Sequence, residues 1–313
     1  MPAPSTACSR CAEAQAARRR QRGAAVLLAL LAMSFAAIVA TSVIADYGRG
    51  YGSLAGRRDQ AQARQLARAA VDWARNVLAQ DDKESNTDHL GENWAVKIPA
   101  TPLSDDPADG SVGGEIADLS GRFNLNDLSP GGKPSEAARL RLQRLLENLG
   151  EAPDSARAAA VAISAWITPA ARGAQDEAPH APLVAVAELE RIPNLPPGLA
   201  GRLAPYVTAV PAPSRINVNT APAEVLSALV SGLSLDRARV LVAERERAWF
   251  RDLADFGARL PEGASQPASQ LADVRSRYFL VTVQAGYGVA AAHLQALLDR
   301  QERWPELLWY RIP

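Results

Sequence analysis

The chain reads as an α+β protein: one long N-terminal helix, a small antiparallel sheet, and a large helical segment inserted between the strands of that sheet. Three observations predict this. A basic leader gives way at Gly23 to the uncharged apolar run Ala24–Ala45. Arg277–Ala285, with sequence RYFLVTVQA, is dense in the aromatic and β-branched residues of strands. Between them, Ser135–Leu271 carries helical periodicity interrupted by Gly and Pro stops.

The leader ends in Arg18-Arg19-Arg20-Gln21-Arg22-Gly23, and the apolar run that follows is 22 residues long. As a helix it reaches about 33 Å, enough to cross a bilayer. An ordinary secretory signal has a shorter apolar core and a small-residue cleavage site behind it. The arginines lie on the N-terminal side, so the positive-inside rule keeps the leader in the cytoplasm and exports residue 46 onward. A cut after Gly23 frees Ala24 and leaves the helix as an anchor; the alternative is an uncleaved single-pass anchor. The arrangement resembles a type IV prepilin signal, as in pilins and secretion pseudopilins. With Ala24 first, Leu28 is the fifth residue. Most proteins of that superfamily carry glutamate there, and a carboxylate inside a membrane needs a partner. The resemblance implies that this partner is the terminal amine of a neighbouring subunit. Leu28 lacks that charge and suits an end position, a departure shared with the large minor pseudopilin K family of type II secretion.

Removing 23 of the 313 residues leaves 290, room for two subdomains. The leader holds five arginines and one glutamate of the 34 basic and 34 acidic residues, so the remainder has 29 basic and 33 acidic, a net charge of −4. That balance disfavours a nucleic-acid surface. Cys8 and Cys11 form a Cys-x-x-Cys pair inside the leader, which leaves the exported part without a disulfide.

After the membrane, Gly48, Gly50, Gly52 and Gly56 cost a helix about 1 kcal/mol each relative to alanine and predict a loosening. From Arg57 the helix resumes. Leu66, Ala70, Trp73 and Val77 share one face, which places Trp73 in the core against the sheet. The acidic stretch Gln80–Asn93 ends the stalk, and Pro99–Gly114 reads as a second loop with Asp105, Asp106 and Asp109. Either loop can hold calcium, which takes six to eight oxygens, or simply be solvated; neither has EF-hand spacing.

Gly114–Leu128 (GEIADLSGRFNLNDL) suggests a short strand at Ile116 and Leu119, then a turn at Gly121. Together with Asp88–Trp94 (DHLGENW) it resembles the pseudopilin K family, where this segment joins a pilin-like sheet to an inserted helical domain. In the insertion, Leu140, Leu142, Leu145, Leu146 and Leu149 cluster on one helix stopped by Gly150, and Ala156–Ile167 forms a second stopped by Pro169. Leu183–Val207 and Ile216–Ala243 both resemble helix-hairpin-helix, or SAM-like, units. In the second, Thr220 can cap a helix beginning near Ala221, with Pro222 in its first turn and Glu224 favoured by the helix dipole.

The motif Asn217-Val218-Asn219-Thr220-Ala221 also opens the DNA-binding hairpins of competence proteins, which are membrane-anchored and exported; that is the rival reading. Those hairpins carry Gly-hydrophobic-Gly. Here Ser234 stands where the second glycine would be, Asp236 adds negative charge, and Pro196 and Pro197 in the first unit have no amide hydrogen to offer a phosphate. No nucleic-acid partner is expected.

Val289–Arg300 and Trp304–Ile312 are plausible strand partners of Arg277–Ala285, although Ala290–Leu298 has helical propensity. Pairing brings the two ends of the sheet together around the insertion. One departure concerns calcium, which the resemblance associates with the inserted domain. In the family it resembles, the second helix ends Ala-Asp-Trp-Ile-Asp and a longer acidic segment follows; here Ala165-Trp166-Ile167-Thr168-Pro169-Ala170 precedes only Asp176 and Glu177, and Thr168 and Ala170 lack the expected carboxylates, so no calcium site carries over residue by residue. His89, His180 and His293 lack metal-ligand spacing, and the chain has no Gly-x-Ser-x-Gly elbow or P-loop. The reading is a leader 1–23, a membrane segment 24–45, a stalk 46–80, pilin-like parts 81–134 and 272–313, and an insertion 135–271. The resemblance implies a non-enzymatic minor pseudopilin of the bacterial inner membrane. Its domain is periplasmic, it is processed by prepilin peptidase at Gly23/Ala24, and it is partnered by I-, J- and H-type minor pseudopilins and the major pseudopilin.

Overall fold

The computed structural model describes residues 9–106, 109–169 and 180–312, with side chains described outside 9–24 and 48–50. Ala170, Asp176, Glu177 and Cys8 lie outside the described residues. Helix α1, Ser9–Glu84, is unbroken. The loosening expected at the glycines is absent, since extending a helix is easier than ending it and nucleating another. The helix also runs four residues past the expected stop at Gln80. Residues 1–61 and 62–313 form two compact units. In the first, the apolar residues of α1, Leu28 among them, stand exposed. α1 is the one helix among the described residues that is long and apolar enough to cross a membrane.

The second unit is built on a five-stranded antiparallel sheet in the order β1-β2-β7-β8-β9. The strands are β1 (Ile98–Pro102), β2 (Ser111–Asp118), β7 (Tyr278–Tyr287), β8 (Ala290–Asp299) and β9 (Glu306–Arg311). The expected single loop Pro99–Gly114 is a hairpin instead. Pro99 and Pro102 sit on an edge strand, where a missing ladder donor is tolerated. The segment whose propensity allowed a helix is β8. Its residues Ala292, Leu294, Ala296 and Leu298 alternate into the core, and that period-two burial overrides propensity. Against this face α1 lays Ala63, Ala67, Val71, Ala74 and Leu78, spaced four, four, three and four.

Strands β2 and β7 are adjacent, paired from Ser111↔Gly286 to Asp118↔Phe279. Everything between them leaves and re-enters the sheet at one point, as the sequence predicts. The insertion has its own core. It contains α2 (Glu136–Asn148), α3 (Pro153–Ile167), α4 (Leu199–Leu203), α5 (Ala223–Leu229), α6 (Leu235–Arg247) and α7 (Leu253–Ala258). Two-residue strands stitch it together: β3 (Phe123–Asn124) pairs with β4 (Val207–Thr208), and β5 (Ile216–Asn217) with β6 (Ala272–Asp273). On α2, Leu142, Leu145 and Leu146 are buried while Leu140 is exposed, and Gly150 ends the helix with a positive φ. The first hairpin unit is irregular: its leading helix tightens to a 3-10 turn at Val186–Arg191.

Candidate partner groove and polar junction

An open apolar groove of about 370 Å³ runs between α1 and the β1–β2 edge of the sheet. Trp73 and Val77 form the helix wall; Val96, Leu103 and Ile116 form the other. Trp73 is 55% exposed, which corrects the expectation of a core residue. The true core stripe is rotated toward the alanines, because small residues let helix and sheet approach closely while the indole is left on the flank. Val96 and Leu103 are also more than half exposed. A contiguous exposed apolar surface of this kind marks an interaction site, and tryptophan is enriched among residues that dominate binding energy.

Where the insertion leaves and rejoins the sheet, the chemistry is polar and buried. Asn217 is fully buried and donates through Nδ2 to the Asp88 carbonyl (3.0 Å) and Ser276 Oγ (2.7 Å); its backbone N–H reaches the Ser120 carbonyl at 2.9 Å. Asp118, at the end of β2, accepts from Ser276 Oγ (2.6 Å), the Ser120 amide (2.6 Å) and the Thr220 hydroxyl. Burial raises the Asp118 carboxyl above its usual range, and those three bonds oppose the shift. Thr220 therefore does not cap a helix. The helix starts at Ala223 behind Pro222, and the hydroxyl ties the insertion to the sheet. Gly121 is required here, because a Cβ would lie 2.6 Å from Thr220 Oγ1 and 2.8 Å from its carbonyl carbon. Asn217→Ala should cost roughly 2 kcal/mol, because it leaves the buried Asp88 carbonyl without its Nδ2 donor and removes one of the two bonds at the Ser276 hydroxyl; urea denaturation checks this.

Arg300, 2% exposed along its side chain, completes the junction. It donates to Asp81 Oδ2 (3.1 Å), to Asp88 Oδ1 and to the Ser276 carbonyl (3.0 Å), and stacks 4.7 Å above the Phe279 ring. Asp88 Oδ2 accepts from the Ser276 amide at 2.6 Å. Burial, followed by the charges of Glu92 and Asp88, raises Asp81 to about 7 against the pull of Arg300.

Asp81, Asp88 and Glu92 bring one oxygen each to within 4.8 Å of one another, the arrangement closest to a metal site among the described residues. Protein donors already occupy several of these oxygens. Asp81 and Asp88 already bond Arg300, and Glu92 Oε2 accepts from the His89 amide (2.9 Å) and Trp94 Nε1 (2.7 Å). A buried guanidinium already supplies positive charge beside the two aspartates. In the second loop Asp109 accepts from Ser104, and Asp105 and Asp106 are exposed. The histidines stay apart: His89 stacks on Trp249, His180 Nδ1 lies 2.7 Å from the Thr168 carbonyl, and His293 is exposed on β8.

The second hairpin is bridged to a neighbouring loop on one side, while Ser231, Gly232, Ser234 and Asp236 stay exposed. The Ser265 amide donates to the Ser231 carbonyl at 2.9 Å, and Gly232, with φ +80°, packs so closely that a Cβ would run into the Gly263 carbonyl. Ser234 caps α6 and Asp236 occupies its first turn, so the two residues that break the phosphate-binding pattern serve the helix start. Gly23 and Ala24 lie within α1 as residues whose side chains are not described, and Leu28 is exposed on the same helix. Sequence reasoning missed Arg300 and the roles of Asn217 and Thr220; a single arginine at a strand end carries no signal until the fold places it between two aspartates.

Two family descriptions, both "Type II secretion system (T2SS), protein K", match residues 121–212 and 216–275. Type II secretion system protein K of Klebsiella pneumoniae is 31% identical, over 91% of this chain and 94% of the relative. The protein of the same name from Pseudomonas aeruginosa is 31% identical over 90% of each. Among solved structures, the GspK-GspI-GspJ complex from enterotoxigenic Escherichia coli matches with a TM-score of 0.69 at 22% identity, covering 83% of this chain and 99% of the matched one. With matched segments that run through the insertion, and relatives aligned along nine-tenths of its length, this chain belongs to the type II secretion system protein K family.

Proposed function

We propose that this chain is the tip subunit of a type II secretion pseudopilus. It starts or caps assembly in the inner membrane and assembles with the I-, J- and H-type minor pseudopilins, with the major pseudopilin beneath. The observation that carries this reading is the helical insertion between adjacent strands β2 and β7, a bulk that repeated stacking along a thin filament cannot accommodate. Leu28 supports it by offering no carboxylate to a neighbour's amine. The solved relative was crystallised with GspI and GspJ, which supports partners of those types here. The groove beside Trp73 is the surface we assign to them, by its apolar character and its place on α1. The role is structural rather than enzymatic. Ser234 in place of a second glycine, and the negative charge of Asp236 in the first turn of α6, argue against the competence-like DNA-binding alternative.

Maturation is the first test. Prepilin peptidase should cut after Gly23 and leave Ala24 as the N-terminus, while Gly23→Val should retain the leader yet still insert. Intact mass of membrane-extracted protein decides it. A retained arginine leader in the unaltered chain, or a cut near Ala45, would reject a pilin-like subunit.

A further inference from the structure

The apolar run of α1 ends at Ala45, and the first charged residue beyond it is Asp46. A carboxylate is costly inside hydrocarbon, so Asp46 limits how deep the helix can sink. Tyr47 and Tyr51 follow at once, both exposed on the unbroken helix. They are two of the chain's six tyrosines, and no other aromatic residue lies between Phe35 and Trp73, so the pair marks the boundary of the apolar run. One helical turn separates them, which puts them on one face with exposed Val43 before and exposed Leu54 after. At 1.5 Å per residue Tyr47 lies about 3 Å and Tyr51 about 9 Å beyond Ala45. A headgroup layer adds about 5–7 Å on each side of the hydrocarbon core. Side chains on a helix lean toward its N-terminus, here toward the bilayer, which carries the Tyr51 ring back into that layer. Arg58, about 20 Å beyond Ala45, stands clear of it.

We propose that Tyr47 and Tyr51 bind phospholipid headgroups at the periplasmic face of the membrane and so fix the depth and rotation of the anchor helix. The inference rests on the membrane-anchor reading and not on the tip assignment. A phenol has an apolar ring and a polar end, which suits a layer that is apolar on one side and wet on the other. Each ring packs among glycerol and upper acyl carbons, while its hydroxyl donates to a phosphate or ester carbonyl oxygen. Asp46 resists movement inward and the two rings resist movement outward, so the depth is set from both directions. Both rings lie on one face, so they also set which side of the helix leans on the lipid. That face continues into the membrane span through Val43, and this continuity makes lipid its occupant.

The test uses the full-length protein in vesicles of phosphatidylethanolamine with a minor share of phosphatidylglycerol. Benzoylphenylalanine in place of Tyr51 should give phospholipid adducts on irradiation, detected by mass, and the same probe in place of Arg58 should give about tenfold fewer. Depth is read separately, with a nitroxide on V43C in a C8S/C11S background, from its collisions with oxygen and with a water-soluble nickel chelate. Oxygen should dominate when both tyrosines are present. Y47A/Y51A should raise nickel collisions at that label about twofold or more, and Y47W/Y51W should restore the original profile, since tryptophan seeks the same layer. Protein adducts alone at position 51, equal lipid adducts at positions 51 and 58, or a label at position 43 that does not respond to Y47A/Y51A would each overturn the proposal and leave the anchor standing. Nickel-dominated collisions at position 43 with both tyrosines present would overturn the proposal together with the membrane anchor.

Discussion

Replacing Trp73 with glutamate should abolish co-purification with the I- and J-type minor pseudopilins while leaving the fold's stability nearly unchanged. The indole is more than half exposed and contributes little to the core that Ala67, Val71 and Ala74 build on the neighbouring face of α1. Exposed substitutions of this kind change stability by about 0.5 kcal/mol or less. At an interface a tryptophan seated in an apolar groove is worth about 2 kcal/mol or more, roughly a 30-fold change in affinity, and glutamate adds the cost of burying a charge. Thermal melting and pull-down of the same variant are read together. Intact pull-down would remove the groove as the docking surface; a large drop in melting temperature would return Trp73 to the core.

Arg300→Met should destabilise the protein by about 3–5 kcal/mol at neutral pH. The substitution leaves Asp81 and Asp88 facing each other without their buried counter-charge. The pH dependence gives the mechanism a second signature. In the folded protein Asp81 titrates near 7 rather than 3.8, so the native state holds a proton that the unfolded chain has lost across that interval. Stability therefore falls as pH rises from about 4 through about 7. Asp81→Asn should flatten that slope. In Arg300→Met the two carboxylates repel more strongly, so the deficit should be greatest above pH 7 and shrink toward pH 4. Urea denaturation across that range checks both. A deficit independent of pH would mean that Arg300 acts through packing on Phe279 alone.

Legibility in the sequence followed the physics of each segment. The anchor was legible because a 22-residue apolar run behind four closely spaced arginines has few other meanings. The central strand was legible because Tyr278, Phe279, Val281 and Val283 combine strand composition with alternation. Ala290–Leu298 was ambiguous, because alanine and leucine favour helix until β7 and β9 pair on either side. Trp73 was misplaced because a spacing of three and four residues defines a stripe but not its edge. Ala63, Ala67, Val71, Ala74 and Leu78 form an equally good stripe beside it, and close packing chose the smaller side chains. The junction was invisible for a different reason. Its contacts link positions as far apart as Asp88, Asn217 and Arg300, and hydrogen bonds between distant polar residues leave no periodic trace. The motifs around Asp118 and Asn217 were visible as family features, but their task of fastening an insertion to a sheet emerges only from the fold.

The tip assignment is tested most directly by counting. Pseudopili sheared from cells and quantified by mass spectrometry with labelled standard peptides should contain this subunit in a one-to-one ratio with the I- and J-type minor pseudopilins, far below the major pseudopilin, with immunogold label at one end. Near-equal stoichiometry with the major pseudopilin and label along the whole filament would make it a shaft subunit and contradict the account.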